Sequence, residues 1–230
     1  MCGRKTLTKD MRSIIEELAI DEWLDENHEP NFNIAPTQDS PVLINKDNSK
    51  IVKMMKWGLI PNWSKDSSRS SRMINARSET LLQKIAYKDL VNSRRCIIIT
   101  DGYFEWKKYG KKKTPFYIQH PEKELLLMAG LWTSWRSSSN IISTYTVITT
   151  SPKKELADIH DRMPVILKKS DIDTWLNCSA NNNIHIVLDY LRPFSGQLSY
   201  HPVSNFVNSP KNNNMNCIQP LDESNELNLF

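Results

Sequence analysis

Short apolar runs bounded by polar and proline-containing turns are the main pattern along this chain, and only short stretches repeat every three to four residues. Such runs, rich in β-branched and aromatic residues, are the mark of strands. They predict strands at "IVKMMKWGLI" (51–60), ending before Pro61, and at "STYTVITT" (143–150), with its β-branched residues. "RRCIIITDGYFEWKK" (94–108) reads as two strands about an Asp-Gly turn. The basic turn "KKYGKKK" leads to strands at "PFYIQ" (115–119) and "LLLMAGLW" (125–132), and "MPVIL" (163–167) adds another. "FNIAPTQDSPVL" (32–43) is a loop entering a strand, punctuated by Pro36 and Pro41. The helical period appears over 9–24, with Thr8 as N-cap, Asp10 in the first turn and Ile14, Ile15 and Leu18 as the apolar stripe. Short helices are predicted at 76–85, 87–93, 171–177 and 182–191, and at 152–160 with Pro152 in first position. "SYHPVSNFV" (199–207) is a last extended piece. Many short strands with scattered helices make an α+β fold: one domain, a mainly antiparallel curled sheet closing toward a pseudo-barrel, with short peripheral helices. That domain is expected over 1–208, with a polar, Asn-rich and disordered tail over 209–230.

Composition narrows the class. At 230 residues, 39% hydrophobic and 24% charged, the chain suits one soluble domain plus a tail. No apolar run reaches the roughly 18 residues of a membrane span and no signal-peptide pattern opens the chain, so a cytoplasmic protein is expected, nucleoid-associated if bacterial. The cysteines Cys2, Cys96, Cys178 and Cys217 form no C-x-x-C pair, which indicates neither a zinc site nor a disulfide framework. With six glycines and no β-α-β alternation, a phosphate loop is also excluded. The net charge of +4 is uneven. Acids crowd residues 9–30, whereas bases crowd 50–77 and 94–113, interleaved with Trp57, Trp63, Tyr103 and Trp106. Cations for phosphates and rings for bases fit a nucleic-acid surface, and the same pattern fits a solvated charged face.

Four segments could carry chemistry. In "MCGR", removal of Met1 would leave Cys2 with an α-amine of pKa roughly 7.7–8.0 beside a thiol of about 8.5, a 1,2-aminothiol able to condense with an aldehyde. Cys2 could equally be an incidental residue of a frayed terminus. In "DGYFEW", a strand sets Tyr103 and Glu105 on one face, and burial among aromatics would raise the Glu105 pKa and suit it to proton transfer. A glutamate paired with lysine on an edge strand is the alternative. In "IHDRMPVIL", His160 could shuttle protons or could cap a helix end, and Arg162 follows it. In "MINARSET", Asn75 and Arg77 share a face if extended, with Arg77 able to hold a phosphate; a helix cap is the alternative.

Taken together, "MCGR", "FNIAPTQ", "WGLIPNW", "NARSET", "CIIITDGYFEW", "AGLW", "IHDRMPVIL" and "HPVSNFVN" resemble the SRAP family, SOS response-associated peptidase-like proteins that shield abasic sites in single-stranded DNA. The resemblance covers roughly 2–208. It implies that the Cys2 amine attacks the ring-opened sugar aldehyde to give a Schiff base and that the thiol then closes a thiazolidine, crosslinking protein to DNA. It implies proton handling by Glu105, assistance by His160 in the Schiff-base step and in reversal, and a hydrogen bond from Asn75 at the linkage. Arg4 and Arg77 match the family's phosphate contacts, with Arg162 and Trp63 as further DNA contacts. The family can also show lyase activity, and its peptidase label rests on Met1 removal. Thr100 stands where many members have proline, and "SKDSSRSSR" lacks the wedging aromatics some members carry there. No metal, organic cofactor or membrane is implied; the partner is single-stranded DNA with abasic sites, met by a monomer. Two other readings use the same chain: a thiol peptidase or amidohydrolase built on Cys2, Glu105 and His160, and a non-catalytic single-stranded DNA-binding module.

Overall fold

The computed structural model describes residues 2–25, 28–66, 72–137, 140–178 and 184–221. Two sheets build it. The larger contains β4 (Asp39–Lys46), β5 (Ser49–Trp57), β7 (Arg95–Thr100), β10 (Leu126–Arg136) and β11 (Ile141–Thr150). These pair in the order β11-β10-β7-β4-β5, and β5 then pairs β11 in parallel through Thr144↔Lys56 and Tyr145↔Trp57. That last pairing closes the sheet into a five-stranded barrel, which leaves none of these strands as an open edge. The expected curled, largely antiparallel sheet is thus a closed barrel with one parallel seam. Short strands decorate it: β2 (Glu22–Trp23) beside β5, β6 (Asn75–Arg77) and β12 (Met163–Pro164) beside β11, and β13 (Ile166–Leu167) beside β10.

The second sheet has the order β14-β9-β8-β1-β3, from β14 (Ser199–Pro202), β9 (Lys112–Gln119), β8 (Gly102–Tyr109), β1 (Lys5–Leu7) and β3 (Asn31–Ile34). All its pairings are antiparallel. The row Ile34–Lys5–Tyr103–Ile118 crosses it side by side. Ile34, Tyr103 and Ile118 join the main core with Trp57, Tyr145 and Cys2, all at most 3% exposed. On the opposite face Phe104 and Tyr117 form a second, smaller core with Val203, Val207 and Cys217.

The helices are short: α1 (Met11–Leu18), α2 (Lys88–Ser93), α3 (Ile172–Leu176) and α4 (Ile184–Asp189). Four sequence expectations change. The first helix is capped by Asp10, whose carboxylate accepts from the Ser13 N–H, and it stops at Ala19 in a left-handed conformation. Thr8 instead donates its hydroxyl to Asp101 at 2.7 Å. The helix expected over 76–85 is strand Asn75–Arg77 followed by a 3-10 turn, Ser78–Thr80, because Ala76 and its neighbours pair with β11. That over 152–160 shrinks to a 3-10 turn at Lys154–Leu156. The folded body does not stop at 208: a 3-10 turn at Met215–Cys217 buries Cys217, and Leu221 N–H donates to Pro202 C=O. The rest of the expected tail, 222–230, lies outside the described residues, as do Met1 and loop residues 67–71. No described helix is long and apolar enough to cross a membrane.

Candidate active site

β1 is the element that places the chain start. Its antiparallel pairing with β8, Lys5↔Tyr103 and Thr6↔Gly102, is continued by the Phe104 N–H donating to Arg4 C=O at 3.0 Å. The same direction carries the residues before Arg4 past Glu105. Gly102 lets the hairpin approach this closely, since a Cβ there would collide with the Tyr117 ring at 2.2–2.4 Å. Cys2 ends fully buried. From the other sheet, β6 holds Asn75 by its parallel pairing to Val147, and the Asn75 amide Nδ2 donates to Cys2 C=O at 2.7 Å. Its Oδ1 is buried and has no partner among the described residues. An acceptor left over beside Cys2 suits an N–H formed there.

Glu105 is 3% exposed, and its carboxylate Oε2 lies 3.7 Å from His160 Nε2. His160 follows the 3-10 turn at Lys154–Leu156, and its Nδ1 accepts the Arg162 backbone N–H at 3.0 Å. The same Nδ1 lies 2.9 Å from Asp161 Oδ1, so each ring nitrogen faces a carboxylate. Burial pushes the Glu105 carboxyl up to about 7 and pushes the His160 imidazole down. The Cys2 thiol is pushed up to about 12, by burial first and by the Glu105 charge second. Acid and base forms of Glu105 are thus both populated near neutral pH, the condition for a group that must both give and take protons. Glu105 and His160 line a cleft of about 430 Å³ together with Trp106, Lys108, Lys113 and Asn208.

The raised Glu105 pKa makes a stability prediction. A group whose folded pKa exceeds its unfolded value binds extra protons in the native state, so its contribution is full below about pH 4.5 and lost as pH rises through about 7. Wild-type stability should fall across that window by on the order of 3 kcal/mol through this group alone. Glu105→Gln should remove that part of the slope, and melting curves of wild type and variant at the two ends of the window check it.

The remaining candidates are distributed differently. Arg77 is exposed on the same strand as Asn75, and Trp63 is 56% exposed. Arg4 is not a surface cation: only 9% exposed, it donates to Asn33 Oδ1 and Val207 C=O, both at 2.7 Å, and so ties the chain start to the C-terminal segment. Arg162 forms a two-pronged pair with Glu79 at 2.6 and 3.0 Å and also donates to Thr149 C=O. Among the aromatics read as candidates for base stacking, Trp57 and Tyr103 are fully buried. Trp57 faces Tyr145 in the core, which corrects that expectation. The cleft adds residues that were not among the candidate site residues. Lys108 and Lys113 face each other across the β8–β9 hairpin, and Trp106 Nε1 donates to Asn208 Oδ1 at 2.8 Å. The basic hairpin was the available signal for the lysines, and Asn208 closes the motif "HPVSNFVN" without having been assigned a role. No described cluster of His, Cys, Asp and Glu could hold a metal ion.

The fold and site together define a single-domain protein whose second residue, a buried cysteine held by Asn75, feels the charge of a buried carboxylate that faces an imidazole. The family model for SOS response associated peptidase (SRAP) matches residues 1–210. The chain belongs to that family. It is 40% identical over 223 residues to abasic site processing protein YoqW of Bacillus subtilis, covering 95% of this chain and 99% of that one. It is 34% identical over 235 residues to abasic site processing protein HMCES of Gallus gallus, covering 87% and 69%. A crystal structure of a protein from Bacteroides thetaiotaomicron superposes with a TM-score of 0.84 at 22% identity, covering 96% of this chain and all of that one. A second, from Bordetella bronchiseptica, gives 0.74 at 22% identity over 88% of this chain.

Proposed function

We propose that the protein processes abasic sites in DNA by covalent capture through Cys2. The observation that carries this reading is a buried Cys2 whose carbonyl is held by Asn75 and whose thiol feels the charge of Glu105, a carboxylate that faces His160 at the wall of one cleft. Removal of Met1 frees the Cys2 α-amine. That amine adds to the aldehyde of a ring-opened abasic sugar, and the resulting carbinolamine loses water with Glu105 as the acid. His160 Nε2, beside the Glu105 carboxylate, supports the proton movement. The thiol then adds to the imine carbon, and the ring closes. Asn75 holds the Cys2 carbonyl during these steps, and its open Oδ1 accepts the ring N–H. Lys108, Lys113 and Arg77 supply positive charge for phosphates, and the exposed Trp63 a stacking face, so affinity depends on salt and little on base sequence. No step requires a metal or cofactor, and no second subunit.

Thiol-peptidase chemistry fits this site less well. A peptidase nucleophile needs a thiolate, hence a depressed pKa, whereas burial drives the Cys2 thiol the other way. Ring closure is intramolecular and tolerates a poorly ionised thiol, because proximity alone is worth roughly 7–11 kcal/mol.

The test is aldehyde dependence. Single-stranded oligonucleotides carrying a natural abasic site, the same site capped with methoxyamine, or a tetrahydrofuran analogue are incubated with the protein. A heat-stable adduct should form with the first alone. Adduct on the tetrahydrofuran oligonucleotide, which has no aldehyde, would sink the proposal.

A further inference from the structure

Arg162 holds its guanidinium largely away from solvent. The side chain is 12% exposed, its two terminal nitrogens grip the Glu79 carboxylate at 2.6 and 3.0 Å, and Nη2 also donates to Thr149 C=O. Nε is buried and has no partner among the described residues. A phosphate-binding arginine needs its fork open to the ligand, and this fork is closed on the protein itself. Arg162 is not among the residues that line the cleft. Its backbone N–H donates to His160 Nδ1 at 3.0 Å, which makes the two residues one tight segment. Glu79 lies in the 3-10 turn Ser78–Thr80, directly after β6, whose Asn75 amide holds the Cys2 carbonyl. Thr149 on β11 pairs with Arg77 of β6 on one side and with Pro164 of β12 on the other. The guanidinium thus bridges, across β11, the segments that carry Asn75 and His160. β6 is three residues long and β12 two, so few backbone bonds fix either one. A planar arginine fork on a carboxylate adds the geometric definition they lack.

We propose that Glu79 and Arg162 are positioning residues for the capture site: their ion pair braces the His160 segment against the Asn75 strand. The brace keeps the imidazole opposite Glu105 and the Asn75 amide on Cys2, and it rests on the capture reading above. Neither residue touches the reacting atoms. Their hold on His160 and Asn75 runs through direct contacts: the Arg162 N–H on the ring, the fork on Glu79 and Thr149, and the short step in chain from Glu79 back to Asn75. The Arg162 hydrogen bond also holds the Glu79 carboxyl below its ordinary range, so the pair stays ionised wherever the amine of Cys2 is reactive. With Glu79 52% exposed, the pair adds little to global stability. Its loss is therefore felt as misplacement of the two side chains, and a shift of about 1 Å at a reacting centre costs up to ~10²-fold in rate.

The test separates rate from affinity. Met1-free wild type, Glu79→Gln, Arg162→Met, Arg162→Lys and the double variant Glu79→Gln/Arg162→Met are mixed with a single-stranded oligonucleotide bearing one abasic site. Borohydride trapping at saturating DNA gives the single-turnover rate of imine formation. Binding isotherms on a tetrahydrofuran oligonucleotide, which has no aldehyde, give affinity. Each single variant should form imine ~10-fold more slowly, with affinity within about 3-fold of wild type. Arg162→Lys should be as slow as Arg162→Met, because lysine keeps the charge and loses the fork. The double variant should be no slower than the slower single one, since both changes break one contact. Glu79→Gln, a same-shape change at an exposed carboxylate, reads the pair even where Arg162→Met folds poorly. Loss of affinity in Arg162→Met at an unchanged rate, restored in Arg162→Lys, would make Arg162 a phosphate contact and overturn the brace. A double variant slowed ~100-fold would make the two residues independent and overturn it as well. Unchanged rates in every variant would overturn it and leave capture standing. Absence of any imine or adduct from wild type would overturn capture and the brace with it.

Discussion

Replacing Cys2 with alanine is expected to abolish the heat-stable DNA adduct, a loss of at least ~10³-fold, while leaving a borohydride-trappable imine. Alanine keeps the α-amine once Met1 is removed, so the first bond still forms. Only the thiol is missing, and without it the imine hydrolyses. The thiol is fully buried, so the variant also leaves a small cavity worth about 1–2 kcal/mol. Against a typical stability of 5–15 kcal/mol that loss does not unfold the domain. A non-catalytic binding module would retain its whole function in this variant, so parallel denaturing gels and equilibrium binding separate the two ideas. A persisting heat-stable adduct in Cys2→Ala would place the nucleophile elsewhere.

The second large effect is expected at Glu105. Glu105→Gln keeps the shape of the side chain but removes the titrating proton. Crosslinking should slow by ~10²-fold, the usual contribution of a positioned general acid. DNA affinity should change by less than about 3-fold, because the side chain is 3% exposed and lies beneath the cleft surface. Single-turnover rates beside binding isotherms read the two separately. If affinity falls as far as rate, Glu105 shapes the cleft and does not move protons.

How much of this could be read from the chain alone differs by element. The strands were legible because the β-branched run in "STYTVITT" and the apolar run and Asp-Gly turn in "CIIITDGYFEW" are local signals. The barrel closure was not, because Tyr145↔Trp57 joins residues far apart in sequence. The same long-range seam explains two errors. Trp57 read as a base-stacking aromatic because basic residues surround it, yet the parallel pairing turns it into the core. Residues 76–85 read as a helix because "ARSETLLQKI" has good helix formers, but pairing of Ala76 and Arg77 with β11 overrides that propensity. Cys2, Glu105, His160 and Asn75 lie in short motifs and were found as types of chemistry. Their relation in space was not legible, since they come from four separate segments. Arg4 and Arg162 show the limit of reading charge: arginine suits phosphate, and it equally suits backbone carbonyls and Glu79. Lys5 gave no signal of its burial, because a lysine in a short strand ordinarily points to solvent.

The central claim, covalent capture through the amine and thiol of Cys2, is tested most directly by intact mass spectrometry. Purified protein is incubated with a single-stranded oligonucleotide bearing one abasic site, without reductant, and heated. The predicted species has the mass of the chain without Met1 plus the oligonucleotide minus one water, and proteolysis places the adduct on Cys2. A chain confirmed to lack Met1 that yields no such species, or carries the adduct on a lysine, would contradict the account.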